Sequence, residues 1–142
     1  MQKLSLAMLK DRFSNYPHID SLIEFVRKIE KEESLVLIVL FGSLVRGKYT
    51  QYSDVDVLCV FDKSFRDNKE RFLHSYKYSN GIIQTKTLSF QEFEEGLKKG
   101  NSFLHLIMEE GAILKSRIEE EKLEKMVKEG KSKVNMIYYK PY

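Results

Sequence analysis

Apolar and polar positions alternate along the chain in two distinct rhythms. Between Ile19 and Glu30, the residues Ile19, Leu22, Ile23, Val26 and Ile29 recur at helical spacing after Pro17. This predicts an amphipathic helix with Asp20 or Ser21 as its cap. The rhythm then changes to a continuous apolar run, Leu35-Val36-Leu37-Ile38-Val39-Leu40-Phe41. Its length and β-branched content predict a strand buried on both faces. Gly42-Ser43 ends the run and predicts a short helix that stops near Gly47. A polar loop, Lys48 to Ser53, leads to a second apolar strand from Asp54 to Phe61.

Further along, the pattern predicts a helix over Lys63 to His74 and a strand within Tyr78 to Ser89, with Asn80-Gly81 as a turn or bulge. Helices are expected over Gln91 to Lys99 and Ser102 to Glu110, separated by Gly100-Asn101. Gly111 stops the second, and Ala112-Ile113-Leu114 reads as a short strand. Ile118 to Glu129 carries Leu123, Met126 and Val127 on one face and charges on the other, as a surface helix does. Strands alternating with helices predict an α/β (α+β) fold, a mixed β-sheet flanked by helices. The first residues and the tail from Lys131 give no clear rhythm.

Composition narrows the picture. With 142 residues, the chain is expected to form a single domain over 1–142. Its 24 basic and 21 acidic residues are interleaved, so the net charge of +3 does not argue for a nucleic-acid-binding stripe. One cysteine, Cys59, sits in an apolar run and excludes an intrachain disulfide. No apolar run is long enough to cross a bilayer as a helix, and no signal peptide is evident, so a reduced, cytoplasmic setting with no membrane partner is expected. His18, His74 and His105 share no metal-ligand spacing and read as structural or exposed.

The chemistry concentrates between Leu40 and Leu58. Asp54 and Asp56 are two apart at the entry of an apolar strand, which puts both carboxylates on one face. Two anions that close repel each other. A divalent cation between them turns the arrangement favourable, and carboxylate oxygens suit Mg²⁺, which completes its shell with waters and substrate phosphates. Gly42 permits close backbone approach, and Ser43 offers a hydroxyl beside free N–H groups, which favour phosphate. Arg46 and Lys48 follow within reach to neutralise a polyphosphate. Gly-Ser alone, or Asp-x-Asp alone, is weak. The combination on adjacent elements is a coherent nucleotide–metal site. An EF-hand is excluded, because no further ligands follow at the required spacing.

Gly42-Ser43, ten residues, then Asp54-Val55-Asp56 resembles the signature of the DNA polymerase β-like nucleotidyltransferase superfamily, and Arg46-Gly47 and Ser53 fit it as well. With so little else in the chain, the sequence is similar to the minimal nucleotidyltransferases, the MNT type. The core motif spans about 35–61, and looser similarity continues through a C-terminal helical extension, about 91–142. The resemblance implies a palm fold and transfer of a nucleoside monophosphate from an NTP, with ATP expected, to a hydroxyl of a protein or small molecule, in the presence of Mg²⁺. Asp54 and Asp56 would be catalytic metal ligands, and Gly42 and Ser43 would hold the β/γ-phosphates. The expected partner is a HEPN-type protein, with the chain acting as its antitoxin in a toxin–antitoxin pair, or a second copy. The short chain leaves an acceptor-binding domain to be supplied by that partner. A polymerase acting on long nucleic acid is disfavoured by the same shortness and the modest charge.

One position departs from the family pattern. A third acidic residue is usual on the next strand, and here that position falls at or near Gln84. An amide can accept a hydrogen bond but cannot serve as a base. The alternative reading is therefore a catalytically weakened module that binds nucleotide or a partner.

Overall fold

The computed structural model describes residues 1–79 and 81–134. Asn80 and the tail from 135, with Tyr138, Tyr139 and Tyr142, lie outside the described residues. In chain order the elements are β1 (Gln2–Lys3), α1 (Leu6–Arg12), α2 (Ile19–Ile29), β2 (Leu35–Phe41), β3 (Val55–Phe61), α3 (Asn68–Tyr76), β4 (Ile83–Ser89), α4 (Phe90–Lys98), α5 (Ser102–Glu110), β5 (Ala112–Ser116) and α6 (Glu120–Lys131). The five strands form one mixed sheet in the order β1-β5-β2-β3-β4. β2 runs antiparallel to both β3 and β5, while β1–β5 and β3–β4 are parallel.

Period-two alternation in β3 sorts its side chains between two cores. Val55, Val57, Cys59 and Phe61 pack with Leu9, Leu22, Phe25 and Val26 from α1 and α2. Leu58 and Val60 point the other way, toward Phe93, Leu97, Leu104 and Met126 from α4 to α6. The central strands are thus covered on both faces, which is why they read as unbroken apolar runs. Burial pushes the Cys59 thiol up to about 12, so it behaves as a small hydrophobe.

Helix ends follow their capping chemistry. Ser89 and Glu92 form a reciprocal capping box at α4, and the Asn101 side chain accepts from the Leu104 N–H at α5. The Asp67 side chain accepts from the Glu70 N–H at 2.8 Å, which starts α3 five residues later than the pattern predicts. α6 starts two residues late, because Ser116 accepts from the Ile118 N–H and holds that stretch in a turn. Neither Asp20 nor Ser21 caps α2; His18 stands at the cap position without a side-chain bond. β1 and α1 had no counterpart in the apolar pattern. The stretch from 91 is not helical throughout, because β5 inserts between β1 and β2.

Arg117, just after β5, ties two distant segments together. Its guanidinium donates to the carbonyls of Glu30, Glu32, Glu33 and Leu35 at 2.8–3.1 Å. These carbonyls lie at and beyond the C-terminus of α2, where backbone acceptors lack helical partners and a cation is favoured.

Candidate nucleotide site

The site lies where β2 ends and β3 begins. Phe41, the last residue of β2, pairs with Asp56 of β3. Gly42 follows with φ +84, a backbone conformation that other residues adopt only with strain. A Cβ at this position would lie 2.3 Å from Asp56 Oδ2. The Asp56 carboxylate therefore rests directly against the Gly42 backbone, and no larger residue fits between them.

The short helix expected after Gly42 is instead a single turn. The N–H groups of Arg46, Gly47 and Lys48 donate to the carbonyls of Gly42, Leu44 and Ser43 at 3.0–3.2 Å. Buried Leu44 and Val45 anchor the turn, and Gly47, with φ +72, ends it before a second turn can form. Ser43 is half-buried on this turn, whereas Arg46 and Lys48 are exposed. Arg46 pairs with Glu110 at the end of α5, 3.4 Å away. Such an exposed pair is worth at most about 1 kcal/mol, so a bound polyanion can displace the glutamate.

Asp54 lies one residue before β3 rather than within it, and it is exposed. The two aspartates still face one another electrostatically. The Asp56 carboxyl is held above the ordinary carboxylate range by partial burial and by the Asp54 charge, and the Arg46 guanidinium opposes the rise. This is the repulsive pair anticipated from the spacing. Both peptide groups flanking Asp54 are pinned. Tyr16 donates its hydroxyl to the Ser53 carbonyl, and the Val55 N–H donates to the Ile82 carbonyl at 3.1 Å. The loop before them is stiffened by Ser53, whose Oγ accepts from the Thr50 N–H at 2.9 Å.

The parallel register of β3 and β4 pairs Asp56 with Gln84. Paired residues of neighbouring strands share a face, so the amide stands on the Asp56 side of the sheet. On that face, two residues further along β4, the Lys86 ammonium lies 5.2 Å from the centre of the Phe103 ring. Phe103 in turn meets Phe41 edge-on at 5.8 Å. This aromatic–cationic flank, like Tyr16, was not found from sequence, because its members come from three separate elements. Among the described residues, no group of three His, Cys, Asp or Glu side chains could hold a metal ion. The residues present nonetheless suit Mg²⁺, which is commonly held by one or two carboxylates with substrate phosphates and water completing its shell.

The histidines lie elsewhere. His74 contacts Glu32 at 2.9 Å beneath Phe61 and Phe65, and burial holds it below its ordinary pKa. His105 is buried, with Nε2 2.8 Å from the Leu97 carbonyl, between α4 and α5.

The chain is similar to known proteins. Over 81 residues the chain is 37% identical to a protein adenylyltransferase, so named, of Methanocaldococcus jannaschii, covering 54% of this chain and 75% of that protein. Among solved structures, it resembles a chain of a variant of the toxin–antitoxin pair MntA–HpeT, at 21% identity and TM-score 0.51, over 80% of this chain and 82% of that one. A weaker likeness, at 19% identity and TM-score 0.47 over 80% of each chain, is to a complex of tri-AMPylated Shewanella oneidensis HEPN toxin with MNT antitoxin; it carries no weight of its own. At these identities the likeness is one of fold, a mixed sheet flanked by helices. The family model of the nucleotidyltransferase domain matches residues 19–135, and with most of its length so matched the chain belongs to the nucleotidyltransferase domain family.

Proposed function

We propose that this chain transfers a nucleoside monophosphate from Mg²⁺-bound NTP, with ATP as the preferred donor, to a hydroxyl of a protein partner. The observation that carries the reading is the contact of the Asp56 carboxylate with the Gly42 backbone, with Asp54 close enough to raise the Asp56 pKa. A pair of carboxylates held against a turn of polar backbone matches the demands of a metal-bridged triphosphate. Asp54 and Asp56 would hold Mg²⁺, which supplies charge neutralisation for the α-phosphoryl group. Gly42 and Ser43 would hold the β/γ-phosphates. Arg46, released from Glu110, and Lys48 would balance the remaining charge.

The acceptor oxygen attacks the α-phosphorus, and the bond from that phosphorus to the bridging oxygen breaks. Pyrophosphate leaves, and the acceptor proton passes to solvent, since Gln84 cannot take it. Orientation and electrostatics carry the rate. The acceptor sits on a HEPN-type partner, for which this chain acts as an antitoxin. Support comes from a toxin–antitoxin pair, one chain of which shares its fold, and from the adenylyltransferase name of its relative.

Gln84 beside Asp56 favours a second reading, a module that binds Mg-NTP and a partner but turns over slowly. One experiment separates the two. The chain, with its co-purified partner, is incubated with α-labelled ATP and Mg²⁺. Covalent label on the partner that disappears in Asp54→Ala and Asp56→Ala supports transfer. Tight Mg-ATP binding without label on any acceptor supports the module.

A further inference from the structure

Tyr16 occupies a position that packing alone does not require. It lies between α1 and α2, buried, with its ring edge-on to Tyr49 at 5.7 Å and to His18 at 5.5 Å. Tyr49 also meets Phe13 edge-on at 6.0 Å, so three aromatic rings clamp the loop that leads to Asp54 onto the N-terminal helices. A phenylalanine would make the same ring contacts. The hydroxyl is what reaches the motif, donating to the Ser53 carbonyl across 37 positions of sequence. That carbonyl belongs to the peptide group immediately before Asp54. The next peptide group is fixed by the Ile82 carbonyl, which accepts from the Val55 N–H.

Asp54 is exposed and lies outside the β3 ladder, so its own side chain has little packing to direct it. Fixing both adjoining peptide planes sets the direction of its Cα–Cβ bond. From this geometry we infer that Tyr16 is a positioning residue, whose hydroxyl aims the Asp54 carboxylate at the cation shared with Asp56. The inference rests on the nucleotide–metal reading above and extends it to the N-terminal helices. A hydrogen bond that fixes a ligand before the metal arrives lowers the ordering cost of binding.

The test is Mn²⁺ binding, followed by electron paramagnetic resonance in the presence of α,β-methylene-ATP. Tyr16→Phe is expected to weaken Mn²⁺ about five- to tenfold, the size of one hydrogen bond. Nucleotide affinity without metal should be unchanged. Tyr16→4-aminophenylalanine keeps a donor on the ring and is expected to restore most of the loss. Arg117→Ala lowers the melting temperature at a distance and should leave Mn²⁺ affinity where it is, separating stability from aim. Equal Mn²⁺ affinity in wild type and Tyr16→Phe overturns the role of Tyr16 and leaves the site reading intact. Wild-type protein that binds no Mn²⁺ with the nucleotide overturns both. A Tyr16→Phe chain that does not fold, judged by circular dichroism, assigns the hydroxyl to folding and overturns the inference as well.

Discussion

The two sides of Asp56 are built differently. Toward β2, the carboxylate meets the Gly42 backbone so closely that a single methyl group has no room, and the turn behind it is rooted by buried Leu44 and Val45. Toward β4, the neighbour is Gln84, exposed, on the edge strand of the sheet. The first side is over-determined by sterics and backbone geometry. The second is open and electrically neutral. On the proposed function, the rigid side would hold a metal-bound triphosphate and the open side would be left for whatever receives the nucleotide. The contrast teaches that geometry and proton-taking capacity are separate properties of one site, and that here the geometry is the better developed.

The largest effect should come from removing charge on the rigid side. Asp56→Asn or Asp54→Asn is expected to lower nucleotide transfer about 10³-fold, measured with labelled ATP, because several kcal/mol of charge stabilisation are lost. Gly42→Ala tests the same side through shape alone. Its Cβ displaces the Asp56 carboxylate, and a misplacement of about 1 Å costs about 10²-fold in rate. The strained φ adds a stability loss of about 1–2 kcal/mol, readable by urea denaturation.

On the open side, Gln84→Glu supplies the base the site lacks. General-base catalysis is worth about 10²-fold or more when well placed, and a gain of about tenfold in transfer is expected from an unoptimised graft. An unchanged rate would mean the acceptor approaches elsewhere. The smallest effect is on stability. The folded chain holds Asp56 protonated to higher pH than the unfolded chain does, so it binds more protons in that interval. Without divalent cation, stability should therefore fall as pH rises above about 3.8 toward the raised pKa. Asp56→Asn should remove that slope, and Mg-ATP should reverse it, as followed by thermal melts across the acid range.

How much of this could be read from the chain depends on the range of the interactions involved. β2 and α5 appear within the boundaries their residues suggest, because a dense apolar run and the Asn101 and Gly111 punctuation are local signals. Gln84 is singled out by the family resemblance rather than by the pattern of its own strand, and the parallel register of β3 and β4 sets it beside Asp56. The turn after Gly42 was expected as a helix, since a helix start and a single turn share their first residues and differ only in what Gly47 does next. β1 spans two residues, too few for any periodicity, and it exists because β5 offers an edge. The Tyr16 bond to Ser53 joins positions 37 apart, and no pattern within either segment announces it.

β5 has a consequence for how the molecule is made. It lies between β1 and β2, so the strand that carries Gly42 at its end is flanked on one side by residues synthesised about seventy positions later. During translation β2 and β3 can pair early, while the other edge of β2 stays open and apolar until residues 112–116 emerge from the ribosome. Open apolar edges invite pairing with other chains, and late-closing contacts of this kind slow folding. The edge of β2 therefore closes only when β5 arrives, followed by Arg117, which ties the end of β5 to the end of α2 and the start of β2.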